Sequence, residues 1–257
     1  MAPSDRVELL GCPFDRLTIE SALRQCIEWC QSPRAPHTVV TMNAALLCAM
    51  RSDAPLREAC LRGDMIVPDG VPVVWTSRLA GVPLPERVAG VDLMAGLLVA
   101  GSSHRLRVYF LGARKEVVEE LARRCAREHP GLTVAGFRDG YFGRDEHASV
   151  VAEIRGCAPH LLFVGMPSPF KETWCERHRE ALGVPVIMGV GGSFDVLAGH
   201  VRRAPRLMQA LALEWSWRLA MEPRKMWRRY LVTNSYYLWL AAGEILKRRV
   251  LSAPRTP

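Results

Sequence analysis

Four polar side chains stand where apolar runs give way to turns, and their types suit the transfer of a group onto a hydroxyl. The run VVTMNAA places Thr41 and Asn43 at the end of one apolar segment and the start of a helical one. IVPDGVPVV does the same for Asp69, with Gly70 behind it to permit a tight turn. A carboxylate at such an edge, facing a cleft, can take the proton of an attacking hydroxyl. Arg87 lies in LPERVAGVDL between Pro85 and Gly90, where a guanidinium can meet a phosphate or a carboxylate. Each residue also has a plainer use. Thr41 and Asn43 can cap a helix, Asp69 can hold a turn, and Arg87 can pair with Glu86 or Asp92.

Glycines supply a second kind of chemistry. Gly112 follows the apolar run of VYFLGARKEVVEEL, and Gly189, Gly191 and Gly192 follow that of IMGVGGSFDVLAGHVRRAP. Backbone N–H groups at such strand-to-helix turns suit a diphosphate. Gly112, Gly191, Gly192 and Phe194 are therefore expected near a nucleotide, with Asp195 accepting from its ribose or base. Arg202, Arg203 and Pro205 follow directly. The chain has neither GxGxxG nor GxxxxGK[ST], which speaks against a dinucleotide oxidoreductase and a P-loop enzyme. It has no DxD, HxxxH or HExxH, so no metal is expected and leaving-group charge falls to arginines.

These residues need a frame that brings strand ends together. Short Val/Ile/Leu-rich runs predict strands at His37–Thr41, Met65–Pro68, Arg107–Leu111, Thr133–Phe137, His160–Val164 and Val186–Gly189. Helical patterns fall near Ile19–Gln31, Ala44–Arg51, Val91–Gly101, Glu116–Glu128, His147–Cys157 and Lys171–Ala181. The alternation predicts an α/β fold: a Rossmann-like, mostly parallel sheet with helices on both faces. Ligands of such sheets bind beyond the carboxyl ends of the strands, where the polar residues above lie.

Charge divides the chain differently. Residues 200–257 carry twelve Lys/Arg against three Asp/Glu, while residues 1–199 are nearly neutral. The same basic end gathers Trp215, Trp217, Trp227, Tyr230, Tyr236, Tyr237 and Trp239. We therefore expect a catalytic body over 1–201 and a helical arm over 202–257, with helices at Arg206–Met221 and Lys225–Arg249 broken at Pro223. A basic, aromatic arm suits an anionic surface. On one helical face it would present Trp227, Tyr230, Leu231, Tyr237, Leu238, Ala241 and Ile245. Nucleic acid is the rival partner, and the cleft-bearing body weighs against it. The longest uncharged run of the arm, Leu231–Gly243, is thirteen residues, short of the ~18 that span a bilayer. The opening MAPSDRVELL has no basic stretch leading an apolar core, so no secretory signal is expected. Eight scattered cysteines without CxxC are expected to be reduced thiols.

In order, the motifs TxN, PDG, ERVAG, FLG, GYF, GMPSPFKE, GVGGSFDVLAG, RAP and EWxxRL resemble those of the WecG/TagA/CpsF glycosyltransferases, glycosyltransferase family 26. The resemblance runs from about Val39 to Tyr230. It implies a metal-independent, inverting transferase that moves a hexose from a UDP-sugar to a polyprenyl-diphosphate-linked sugar. It implies a place at the cytoplasmic face of the membrane, oligomers by analogy, and no nucleic-acid partner. Carried over, Thr41, Asn43, Asp69 and Arg87 would line the pocket, with Asp69 as base. The arm, with Arg218, Arg224, Arg228, Arg229, Trp227 and Trp239, would serve acceptor and membrane. Where many members have glutamine this chain has Lys171, a cation in place of an amide. That departure bears on the donor sugar, and it leans the expectation toward exopolysaccharide synthesis rather than N-acetylmannosamine transfer.

Overall fold

The computed structural model describes residues 5–32, 35–205, 208, 216–217, 219 and 223–252. The chain opens with a small antiparallel hairpin, β1 (Arg6–Leu9) and β2 (Cys12–Asp15). There follow α1 (Ile19–Gln31), β3 (His37–Met42), α2 (Ala44–Ala49), α3 (Ala54–Leu61), β4 (Met65–Pro68), α4 (Val71–Leu79) and α5 (Gly90–Ser103). The second half runs through β5 (Arg107–Gly112), α6 (Lys115–Glu128), β6 (Thr133–Arg138), α7 (His147–Gly156), β7 (Leu161–Gly165), α8 (Phe170–Leu182), β8 (Val186–Gly189) and α9 (Ser193–Leu197). A long helix, α10 (Pro223–Ser252), closes the described chain.

Six strands form one parallel sheet in the order β4-β3-β8-β7-β5-β6. Every residue of β4 and β7 is buried, because helices cover both faces. Alternate strand residues feed different cores. Val39, Met65, Val108, Phe110, Phe163 and Met188 meet α1, α5, α6 and α9 on one side. Tyr109, Leu111, Leu162, Val164 and Ile187 meet α7 and α8 on the other. A third cluster joins the hairpin, α2, α4 and α10 around Phe14, Met42 and Ile66.

The α/β expectation holds, and β4 and β8 form over the residues expected. The hairpin, α3 and α4 were not expected. The VPVV start of α4 is β-branched and reads locally as strand, yet Pro72 suits a first helical turn, where its missing N–H has no partner to lose.

The arm departs from expectation in one respect. Tyr237, 3% exposed, and Ala241, 6%, pack into the third cluster instead of facing outward with Leu238. The helix is apolar around much of its circumference, so periodicity alone did not say which side meets the body. Its outer side carries exposed Val232, Tyr236, Trp239, Leu246 and Val250, which recur at helical spacing. Of the helix expected over Arg206–Met221, Met208, Ser216, Trp217 and Leu219 are described and helical, and the rest lies outside the described residues. Among the described residues no helix is long and apolar enough to cross a membrane.

Candidate active site

A cavity of about 520 Å³ opens beyond the carboxyl ends of β4, β3, β8 and β7. Thr41, Asn43, Asp69, Arg87, Lys171, Gly191 and Gly192 all line it. The sheet register explains the first three. Met42 pairs with Pro68, and Asp69 N–H donates to Met42 C=O at 2.9 Å, one step past the ladder. Asn43 and Asp69 therefore leave adjacent strand ends together. Asn43 also performs the plainer role: its Oδ1 accepts from Leu46 N–H at 2.9 Å and caps α2. Val88 N–H donates to Pro68 C=O at 2.8 Å and ties the Arg87 loop to the end of β4.

Helix α5 enters the site at Gly90. A Cβ there would stand 3.0 Å from Thr41 Oγ1 and 3.7 Å from Asp69 Oδ2. The absence of a side chain lets the first turn of α5 lie against both. Two residues on, Asp92 stands 3.6 Å from Arg87 Nη2, so that ion pair is present while Arg87 lines the cavity. Glu86, the other partner weighed, instead accepts from Ile19 N–H at 2.6 Å.

Lys171 is only 9% exposed. Its stem lies against Gly189, where a Cβ would meet it at 3.3 Å. Its Nζ donates to Ser168 Oγ at 2.5 Å and pairs with Glu172 Oε1. Ser168 Oγ donates to the same carboxylate oxygen at 2.7 Å. The ammonium that replaces the family amide is thus balanced by its own neighbour, and its charge does not enter the cavity alone.

Three expected ligand residues do not line the cavity. Gly112 has φ +126°, and a Cβ there would lie 2.6 Å from the Gly165 carbonyl carbon. The closeness of β7 alone requires a glycine there. Phe194 is fully buried, edge-on to Phe110 with centroids 5.8 Å apart, and it fills the space Gly165 leaves. Asp195 offers its carbonyl to Val201 N–H at 3.0 Å, and its side chain is not part of the cavity wall.

Of the arm, Arg218 lies outside the described residues, as do the side chains of Arg224, Arg228 and Arg229. Trp227 and Trp239 are exposed. The junction of body and arm does reach the site: Val201, Arg202, Arg203 and Ala204 line the cavity, as does Trp217 further along. Trp217 Nε1 donates to Arg202 C=O at 3.1 Å. Pro167 and Ser168, within GMPSPFKE, and Trp217, among the arm aromatics, were not expected to line the cavity. The first two sit in the loop after β7, whose strand-end position was the available signal.

The site thus offers, among the described residues, one carboxylate beside a threonine and an asparagine, the guanidiniums of Arg87, Arg202 and Arg203, and a glycine turn. Among the described residues no group of three or more His, Cys, Asp or Glu is placed to hold a metal.

The chain is similar to known proteins. The chain is 39% identical over 183 residues to an N-acetylglucosaminyldiphosphoundecaprenol N-acetyl-β-D-mannosaminyltransferase of Bacillus spizizenii, covering 71% of this chain and 70% of the relative. The Bacillus subtilis protein of the same name is 32% identical over 84% of this chain and 83% of its own length. The Staphylococcus aureus one is 30% identical over 96% of both. The model of the glycosyl transferase WecG/TagA/CpsF family matches residues 7–251. With its parallel sheet and its strand-end cavity, the chain belongs to that family and is a glycosyltransferase.

Proposed function

We propose that this enzyme moves a hexosyl group from a UDP-sugar to a sugar carried on a polyprenyl diphosphate, by a single in-line displacement. The observation that carries the reading is the convergence of Asp69, Thr41, Asn43, Arg87 and Lys171 on one cavity at the strand ends. Asp69 takes the proton of the acceptor hydroxyl as that oxygen attacks the anomeric carbon. The bond to UDP breaks with inversion, and the charge growing on the diphosphate is met by Arg87, Arg203 and the N–H groups of the Gly191–Gly192 turn. Thr41 and Asn43 orient the sugars. No metal takes part in this scheme.

The names of the relatives support N-acetylmannosamine as the sugar moved and N-acetylglucosaminyl-diphosphoundecaprenol as the acceptor. Lys171 favours a second reading, another hexose for a different cell-surface polysaccharide, because an ion-paired ammonium offers donors where an amide offers a donor and an acceptor.

The enzyme works as a peripheral protein on the inner face of the cytoplasmic membrane. The outer stripe of α10, with Trp239 69% exposed and Lys247 and Arg249 nearby, supports docking on an anionic leaflet.

The test is UDP release in EDTA. UDP-glucose, UDP-glucuronate and UDP-N-acetylmannosamine, made in place from UDP-N-acetylglucosamine by its epimerase, are each offered with a short-chain lipid-diphosphate sugar. Acceptor-dependent release with one donor is expected and names the sugar. Release that requires added metal, or none with any donor, overturns the proposal.

A further inference from the structure

Asp92 does not line the cavity, yet it holds two residues that do. Arg203 Nη1 and Nη2 donate to Asp92 Oδ1 and Oδ2 at 2.5 and 2.7 Å, a two-point fork. Arg87 Nη2 stands 3.6 Å from the same Oδ2. One guanidinium comes from the loop before α5 and the other from the first residues of the arm. Two guanidiniums thus share one carboxylate.

Asp92 stands on helical backbone. It sits in the first turn of α5, the turn that Gly90 seats against Thr41 and Asp69. One piece of backbone thus links Asp69, through Gly90, to the two guanidiniums held by Asp92. The arm is anchored at the same place. Val201 N–H donates to Asp195 C=O at 3.0 Å, Ala204 is buried, and between them Arg203 makes the fork.

We propose that Asp92 is a positioning residue. From behind the cavity wall it seats the segment 201–204 and aims Arg87 and Arg203 at a diphosphate entering the site. The inference rests on the cavity being the UDP-sugar site. It goes beyond that reading by assigning a role to a residue that would touch neither substrate. A purely structural role is a weaker account. The side chains of Arg203 and Asp92 are 31% and 36% exposed, and a pair so open to water adds little to folding stability. A bidentate fork does fix direction, and small displacements of substrate-positioning groups are costly to binding and turnover.

The variants Asp92→Asn, Asp92→Glu, Arg203→Gln and the double Asp92→Asn/Arg203→Gln test this. UDP affinity is measured by calorimetry, donor KM and kcat by UDP release, thermal midpoint by circular dichroism, and seating by limited trypsin digestion. We expect Asp92→Asn to weaken UDP binding and raise donor KM by about tenfold or more, with its midpoint unchanged and faster cutting after Arg202 and Arg203. Asp92→Glu should recover part of the loss, and the double variant should lose less UDP affinity than the product of the two single losses. Wild-type UDP affinity and wild-type trypsin resistance in Asp92→Asn overturn the proposal. So does a double variant whose loss is the product of the two singles. Should the wild-type enzyme bind no UDP, the reading of the cavity fails. The trypsin comparison needs no ligand and still decides whether Asp92 seats the segment.

Discussion

The hydroxyls of Thr76 and Tyr237 lie 3.0 Å apart, 161 positions distant in the chain, and join α4 to α10. Burial pushes the Tyr237 phenol up to about 12, so it stays protonated and bonded at neutral pH. The arm that carries an exposed apolar stripe on one side is therefore part of the protein's own core on the other.

Tyr237→Phe removes only that bond and is expected to cost about 1 kcal/mol. Tyr237→Ala also empties the ring's place in the cluster and is expected to cost roughly 3–5 kcal/mol of helix docking. Hydrogen exchange reads this directly: amides of residues 232–248 should exchange faster in Tyr237→Ala while those of the sheet stay protected. Uniform loss of protection would show that α10 does not open separately.

Asp69→Asn keeps the size of the side chain and removes its basicity. Turnover is expected to fall roughly 10²–10⁴-fold while UDP still binds. Near-normal turnover in the variant would remove Asp69 from the role of base.

Lys171→Met leaves Glu172 buried without its cation. The two side chains are 11% and 6% exposed, so the loss is expected to be roughly 3–5 kcal/mol, visible in urea denaturation. Lys171→Gln restores the family's amide and should be milder, since an amide can still donate to Glu172. Its kcat/KM across UDP-sugars compared with wild type shows whether residue 171 selects the donor; an unchanged order of preference says it does not.

His160 joins β5 to β7, its Nδ1 accepting from Arg107 N–H at 3.0 Å. Burial, and then the charge of Arg107, lower its pKa. The neutral ring is the one that fits, so the unfolded chain takes up a proton first as pH falls below about 6.5. Stability from this residue is full above that value and declines as pH drops toward the folded-state pKa. His160→Asn keeps an acceptor that does not titrate. The fall in melting midpoint between pH about 7.5 and about 5.5 should be smaller in the variant than in wild type; an equal fall would place the acid sensitivity elsewhere.

Some of this was legible in residues alone. The continuous apolar runs at Met65–Pro68 and Val186–Gly189 could be little other than strands covered on both faces. Asp69 just after the first of these, and Thr41 and Asn43 at the end of the run from His37, had to stand at one edge of a parallel sheet. The ordered motifs then pointed to the glycosyltransferase family, because they are the parts of a chain that a shared site constrains most tightly.

Other features were decided by tertiary packing. A glycine after a strand reads the same whether a phosphate or a neighbouring strand approaches it, and only the structure shows β7 lying against Gly112. Phe194 lies in a glycine-rich turn, but Gly165 and Phe110 claim its ring for the core. The apolar residues of α10 surround much of the helix, and only contact with Thr76 and its neighbours showed that Tyr237 and Ala241 face inward. Local sequence sets which conformations and polar groups are available at each position. Which surfaces meet depends on the simultaneous burial of distant segments, and that is written in no single stretch of the chain.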